Sequence, residues 1–386
     1  MQLKCRLALF SMAIGCFTAL PAAAQQPLNP ADSKRITQVF DHGGPIDPLH
    51  CVIQPRSPAF DFAYRFELAY WVTCSLTRFG GHATDVLIFA RVTPEGGTPQ
   101  FLGQAIHLPE TPPNKLKQNI VITGGVAVGE GDYRVELLVG DRISGRISRR
   151  SWEEHVKRSG KQEAAEVAIP PHAILPLAVR PWPIQMDAKG LRVTVLLDAA
   201  PLNPRTPSLR MWDRAFLLQS LSSLLRQIPC ASVRVRAFNL DQQRELFRQD
   251  QFDDTGFIKL VDALQNLELG TVSYQVLQHR KGWADMLLSY AKEELTAAEP
   301  SDVTIFLGPR THYFEGTPRS SVPLRETRSP RFYDLEYFPF MGGAHSPDAL
   351  AILTKQLDGS VYEIASPGDL ARSVQKILAR VHTAEQ

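Results

Sequence analysis

One stretch constrains this chain more than any other: LRVTVLLDAAPL, Leu191 to Leu202. Val193 to Leu197 is apolar apart from Thr194 and rich in β-branched residues, the kind of run that forms a strand buried on both faces. Such a strand belongs inside a parallel sheet covered by helices. It ends on a lone carboxylate, Asp198. In an open α/β sheet, ligands gather just beyond the carboxyl end of a central strand, so Asp198 is the first candidate site residue.

The chain after Leu191 alternates strand and helix. Trp212 to Ile228 places Trp212, Phe216, Leu217, Leu221, Leu224, Leu225 and Ile228 on one helical face. SVRVRAF reads as a strand, with RELFRQ as an antiparallel neighbour. FIKLVDALQNL and WADMLLSYAKEEL are two further helices, and DVTIFLG, Asp302 to Gly308, is another buried strand. RFYDLEYFPF and SVYEIA read as strands on either side of the helix DALAILTKQL, and DLARSVQKILARV closes the chain as a helix. This order predicts an α/β fold: a doubly wound sheet with helices on both faces.

Upstream the patterning is different. Met1 to Gln26 has Lys4 and Arg6, then an apolar stretch from Leu7 to Leu20, then Ala22-Ala23-Ala24 before Gln25. This predicts a signal peptide, residues 1–24, cleaved after Ala24, and a secreted or periplasmic protein. The alternative is a lipoprotein anchored at Cys16 of Ile14-Gly15-Cys16. Residues 25–58, rich in Pro, Gly and Asp, read as an irregular arm. From Phe60 to Leu76 the apolar residues fall on even positions, which predicts one long bent strand or two in succession. A hairpin around Pro94-Glu95-Gly96-Gly97 and two strands around Gly129-Glu130-Gly131 follow. Together residues 59–152 predict a small all-β, immunoglobulin-like sandwich. Residues 153–190 read as a linker, with SWEEHVKRSGKQEAAE charged and helical in character and the rest punctuated by Pro170, Pro171, Pro176, Pro181 and Pro183. Trp182 would anchor it onto one domain. Residues 191–386 form the α/β domain.

Charge narrows the partners. The formal net charge is +2, and setting aside Lys4 and Arg6 leaves 40 basic and 40 acidic residues. A balanced chain argues against nucleic acid or an anionic membrane as the main partner. No segment beyond the leader is apolar enough to span a bilayer. Cys51 and Cys74 can bridge in an oxidising compartment, while Cys230 reads as a buried thiol, and no cysteine spacing suggests zinc.

The second half resembles a von Willebrand factor A-type domain. The resemblance rests on LRVTVLLDAAPL as first strand and top loop, the SVRVRAF…RELFRQ pair, the DVTIFLG strand, and the helix–strand–helix close from Asp348 to Leu378. With the leader and sandwich it is similar to exported bacterial proteins of unknown role. The family's metal-dependent adhesion site uses a D-x-S-x-S loop, a second-loop threonine and an aspartate after the fourth strand. Only Asp198 carries over. Ala200 and Leu202 stand at the serine positions, Phe306-Leu307-Gly308-Pro309 supplies no carboxylate, and the second loop reads His279-Arg280-Lys281-Gly282, with Thr271 nearby. Magnesium needs hard oxygen ligands, so this pattern implies no metal and no cofactor.

The candidate binding residues are therefore Asp198, Arg280, Lys281, Arg310, His312 and Tyr313. Asp198 would pair with Arg280 or Lys281, or cap its own loop. Arg310, His312 and Tyr313 would lead a basic, aromatic loop, 309–330, suited to an acidic protein or glycan. The expected function is non-enzymatic protein binding in the cell envelope. The rivals are metal-dependent adhesion at Asp198 and a hydrolase using Asp198 with His279 or His312. A pair of His312 with Ser320 or Ser321 lacks the G-x-S-x-G elbow.

Overall fold

A computed structural model of the chain describes residues 25–42, 48–177, 181–203, 206–270, 274–279, 282–310, 330–338 and 348–383. The leader, Cys16 included, lies outside them. The chain divides into two compact units: Met1–Ser159 with Val167–Ala178, and Gly160–Glu166 with Val179–Gln386.

The first unit is sandwich-like. One antiparallel sheet is ordered β1 (Gln26–Pro27), β6 (Gln100–Leu108), β5 (Thr84–Pro94), β8 (Gly131–Asp141), β9 (Ile147–Val156). The other is ordered β10 (Ile174–Pro176), β7 (Asn119–Val128), β4 (Phe66–Ser75), β2 (Val52–Pro55), with β3 (Ala59–Phe60) pairing β4. Along β4 the even residues Phe66, Leu68, Tyr70, Val72 and Cys74 are buried, as the period-two pattern requires. The pattern does not run unbroken from Phe60. Asp61 accepts from the backbone N–H of Ala63 and Arg65 and from Arg65 Nε at 2.7 Å, and Tyr64 has φ 56°, so a side-chain-closed turn separates β3 from β4. β7 and β8 lie in different sheets, so Gly129-Glu130-Gly131 is a crossover between layers. Cys51 and Cys74 form a disulfide beside the β2–β4 ladder.

Two stretches differ from the sequence reading. The arm contains a helix, α1 (Pro30–His42). Asn29 accepts from Asp32 N–H at 2.9 Å and Pro30 opens the first turn, a start signal that the proline-rich composition hides. Its Ile36 and Phe40 pack on Leu87, Phe89 and Leu138, so the sheet holding β5 is covered on this face too. The charged run after Ser151 begins as strand, to Val156, and its helical part is confined to a single 3-10 turn, Gly160–Gln162. Its Ser151–Val156 part completes β9, an edge strand paired to β8, where alternate side chains reach solvent and charge is tolerated. The supposed linker 153–190 thus carries the end of β9, all of β10 and the beginning of the next strand.

The second unit holds a six-stranded sheet ordered β13 (Arg244–Gln249), β12 (Cys230–Asn239), β11 (Met186–Asp198), β14 (Val303–Pro309), β15 (Arg331–Tyr337), β16 (Ser360–Ile364). All neighbours run parallel except β13, antiparallel at the edge. The helices are α2 (Met211–Gln227), α3 (Asp254–Gln265), α4 (Tyr274–Gln278), α5 (Gly282–Thr296), α6 (Ala349–Gln356) and α7 (Pro367–Thr383). On one face Leu196, Phe238, Phe306 and Phe332 pack under Trp283 and Leu287 of α5 and Leu350 and Leu353 of α6. On the other, Phe216 of α2 stacks on Tyr337 with ring centroids 3.8 Å apart, and Lys376 and Arg380 of α7 lie over Tyr362. Trp182 N–H donates to Ser222 Oγ at 2.6 Å and its ring carries the Arg226 guanidinium, which fixes this stretch along α2. Cys230 is a buried free thiol whose pKa burial pushes up to about 12.

Candidate functional site

β11 delivers Asp198 to the carboxyl edge of the sheet between β12 and β14. Its partner in register is Phe238, and the Leu197–Leu307 pairing brings it beside Gly308. A Cβ at Gly308 would lie 2.7 Å from Asp198 Cβ, so glycine is what lets the two strands close here. The loop that follows is tied down by side chains. Ala199 N–H donates to Phe238 O at 2.7 Å, and the Ala199 carbonyl accepts from Asn239 Nδ2 at 2.8 Å. Asp213, on the first turn of α2, accepts from Leu202 N–H at 3.0 Å and from Arg210 N–H at 2.8 Å.

Three more acids share this edge. In-register residues of parallel neighbours point to one face, and here Leu196 pairs Phe306, Phe306 pairs Asp334, Gly308 pairs Glu336 and Glu336 pairs Glu363. Asp198, Asp334 and Glu336 therefore face the layer that contains α6. Asp348 caps α6, its Oδ1 accepting from Leu350 N–H at 2.9 Å. Asp198, Asp334, Glu336 and Asp348 are exposed by only 0, 1, 4 and 1 %. One guanidinium reaches into the group: Arg310 Nε lies 3.8 Å from Glu336 and Nη1 lies 3.0 Å from Glu363, over the Phe338 ring.

The electrostatics follow from this placement. Burial first, then the carboxylates of Glu336, Asp348 and Asp198, drive the Asp334 carboxyl well above its ordinary range, with Arg310 opposing. Glu336 rises to about 7, again by burial first; Arg310 pulls it down while Asp348 and Glu363 push it up. Among the described residues Asp334 Oδ2 and Glu336 Oε1 are buried without a hydrogen-bond partner. No three His, Cys, Asp or Glu of the described residues are grouped as a metal ion would need. Chemically the edge is a buried cluster of acids opposed, among the described residues, by Arg310 and, at Glu336, by Lys355.

The six sequence-predicted binding residues do not assemble as one set. Arg280, Lys281, His312 and Tyr313 lie outside the described residues, as do Thr271, Ser320 and Ser321. Asp198 is described and fully buried, so it cannot touch a partner from the surface. Arg310 also departs from its expected role. Its side chain is 6 % exposed and committed to Glu336 and Glu363, because the buried Glu336 on β15 demands a counter-charge. His279 is exposed, its carbonyl accepting from Gln243 Nε2 at 3.0 Å and Gly282 N–H at 2.8 Å. Among the described residues this part of the unit also presents apolar side chains: Met211 and Trp212 at the start of α2 are 54 and 60 % exposed, and Tyr274 of α4 is 73 % exposed. The segments leading to them are joined by the Ser208–Glu268 bridge and by Leu269 N–H to Pro207 O at 2.8 Å.

No family model matches the chain, and no curated protein does. Among solved structures it is similar to a Bordetella pertussis protein assigned as ApaA, at 13 % identity and TM-score 0.19, over 30 % of this chain and 100 % of that one. It is also similar to a Bacteroides uniformis β-glucuronidase, at 10 % identity and TM-score 0.20, over 87 % of this chain and 32 % of that one. A Bifidobacterium adolescentis GH3 β-glucosidase gives 14 % identity and TM-score 0.16, over 31 % and 21 %. The chain thus spans about a third of the glucuronidase and a fifth of the glucosidase.

Sequence reasoning missed Asp334, Glu336, Asp348 and Asp213. The signal for the first two was present: RFYDLEY carries acids at i and i+2, and in a strand covered on both faces those two positions share one face. Asp348 before ALAIL and Asp213 inside the first turn of α2 are ordinary capping positions.

Proposed function

We propose that the chain is an exported, non-enzymatic protein-binding module of the cell envelope. Its second unit is read as a von Willebrand factor A-like, doubly wound sheet, and its first as an immunoglobulin-like sandwich. The partner is met by loops at the carboxyl edge of the sheet, without a bridging ion. The observation that carries this reading is the state of Asp198: fully buried, with Ala200 and Leu202 where a cation would need hydroxyls. A partner cannot be gripped through an ion there, so contact falls to the exposed rim. Met211, Trp212 and Tyr274 are the described side chains suited to it, since exposed aromatic and Met side chains are favoured at protein interfaces. Arg280, Lys281, His312 and Tyr313, which lie outside the described residues, belong to the same proposal as its basic and aromatic contacts. The strand order and the helices on both faces support the doubly wound reading.

The test is capture of envelope proteins on the immobilised full chain, run in magnesium and in EDTA, with Trp212→Ala as the surface variant. The expected result is a partner retained equally in both buffers and lost with Trp212→Ala. Capture that needs magnesium returns the metal-dependent adhesion reading. Turnover of an ester or glycoside abolished by Asp198→Asn returns the hydrolase.

A further inference from the structure

The buried acids have a consequence that does not depend on any partner. Asp334 sits on β15 with Glu336 two residues on and Asp348 opposite it at the head of α6. Asp348 is engaged as the cap of α6, its Oδ1 accepting from Leu350 N–H. Arg310 is shared between Glu336 and Glu363, and Asp334 Oδ2 is buried with no hydrogen-bond partner among the described residues. A second like charge in this low-dielectric pocket is strongly opposed.

The structure assigns this cluster the role of a proton-controlled latch: β15 and the N-terminal turn of α6 stay packed while Asp334 holds a proton, and loosen when it is released to solvent.

β11 contributes Asp198, the end of β14 contributes Arg310, β15 contributes Glu336, β16 contributes Glu363, and α6 contributes Asp348 and Lys355. α5 covers the same face with Trp283 and Leu287, while its buried Glu294 is held by Arg236, Thr194 and Ser301. The packing to be released is apolar: Ala349, Leu350 and Leu353 against Phe306 and Phe332. The direction follows from linkage. A carboxyl whose folded-state pKa is raised binds more protons folded than unfolded, so its stability contribution is present at low pH and is lost as pH rises. For Glu336 the window runs from 4.5 to about 7, and for Asp334 it opens near 3.8 and extends well above that value. The first unit has a raised pair of its own, Asp61 and Glu67, so the readout must be a difference between variants.

The experiment is thermal unfolding of the full chain between about pH 5 and pH 8.5 for wild type, Asp334→Asn and Glu336→Gln. Asparagine keeps the shape and removes the ionisation. The expected result is a second-unit Tm that falls by several degrees more across this range in wild type than in Asp334→Asn, with the variant the more stable at the alkaline end. Amide exchange in wild type, corrected for the intrinsic pH effect, should quicken in residues 331–337 and 349–353 ahead of β11. If Asp334→Asn does not fold, Glu336→Gln and the exchange measurement carry the test. Identical slopes in wild type and variants, or uniform exchange, overturn the latch. So does a wild-type Tm at alkaline pH restored by magnesium or calcium, since a cation would then be doing the work of the proton.

Discussion

Each unit buries a carboxylate in its sheet, and the two are treated in opposite ways. Glu136 of β8 is 3 % exposed, almost as buried as Asp334 of β15. Burial alone would raise it, yet Glu136 sits below its ordinary range, because Arg91 grips it at 2.6 and 2.9 Å and Arg149 adds a contact at 3.3 Å. Arg91 also reaches Asp41 of α1 at 2.6 Å and covers Phe40, so this acid belongs to the bolt that holds α1 on the sheet. Asp334 has no such partner among the described residues and gathers like charges instead. A paired buried acid is explained by structure. A cluster of under-partnered ones at the carboxyl edge of a sheet is where function is sought.

The comparison can be broken from either side. The largest effect is expected from Arg91→Met, which strands Glu136 without its main counter-charge; loss of one partner of a buried pair costs about 3–5 kcal/mol, read as a drop in the first unit's unfolding midpoint. A loss below about 1 kcal/mol would remove the distinction between the two acids. Next comes Gly308→Ala, whose Cβ meets Asp198 at 2.7 Å; overpacking at a closed site costs about 1–3 kcal/mol, in the second unit alone. Asp334→Asn should act with the opposite sign, gaining on the order of 1 kcal/mol near pH 8 for each unit of pKa relieved and nothing at acid pH. Smallest in stability is Trp212→Ala, expected within about 0.5 kcal/mol of wild type because the side chain is mostly exposed, while capture of a partner falls.

Much of the fold was legible because its signals are local. The apolar run of β11, the alternation in β4 and the helical spacing of α2 each survive without tertiary context. The misses have physical causes. Asn29-Pro30 starts a helix inside a stretch whose composition suggests a loop, and charged β9 is a strand because an edge position solvates its side chains. The candidate site was half legible. Asp198 announces itself at the end of a buried strand, but Asp334 and Glu336 join it only through strand register, which brings together residues 136 and more positions away in sequence, and Asp348 only through the packing of α6 on that face. Arg310 looked like a surface cation because its demand came from Glu336 and Glu363, and nothing in the local sequence shows that pairing.

Both proposals rest on the carboxyl edge being neutralised by protons and by Arg310, with no divalent ion. The most direct test is the second unit's Tm near pH 8 in EDTA and in millimolar magnesium, since a ligand of the native state stabilises it by mass action. The account predicts the same midpoint in both. A midpoint several degrees higher in magnesium, abolished by Asp334→Asn, would contradict it.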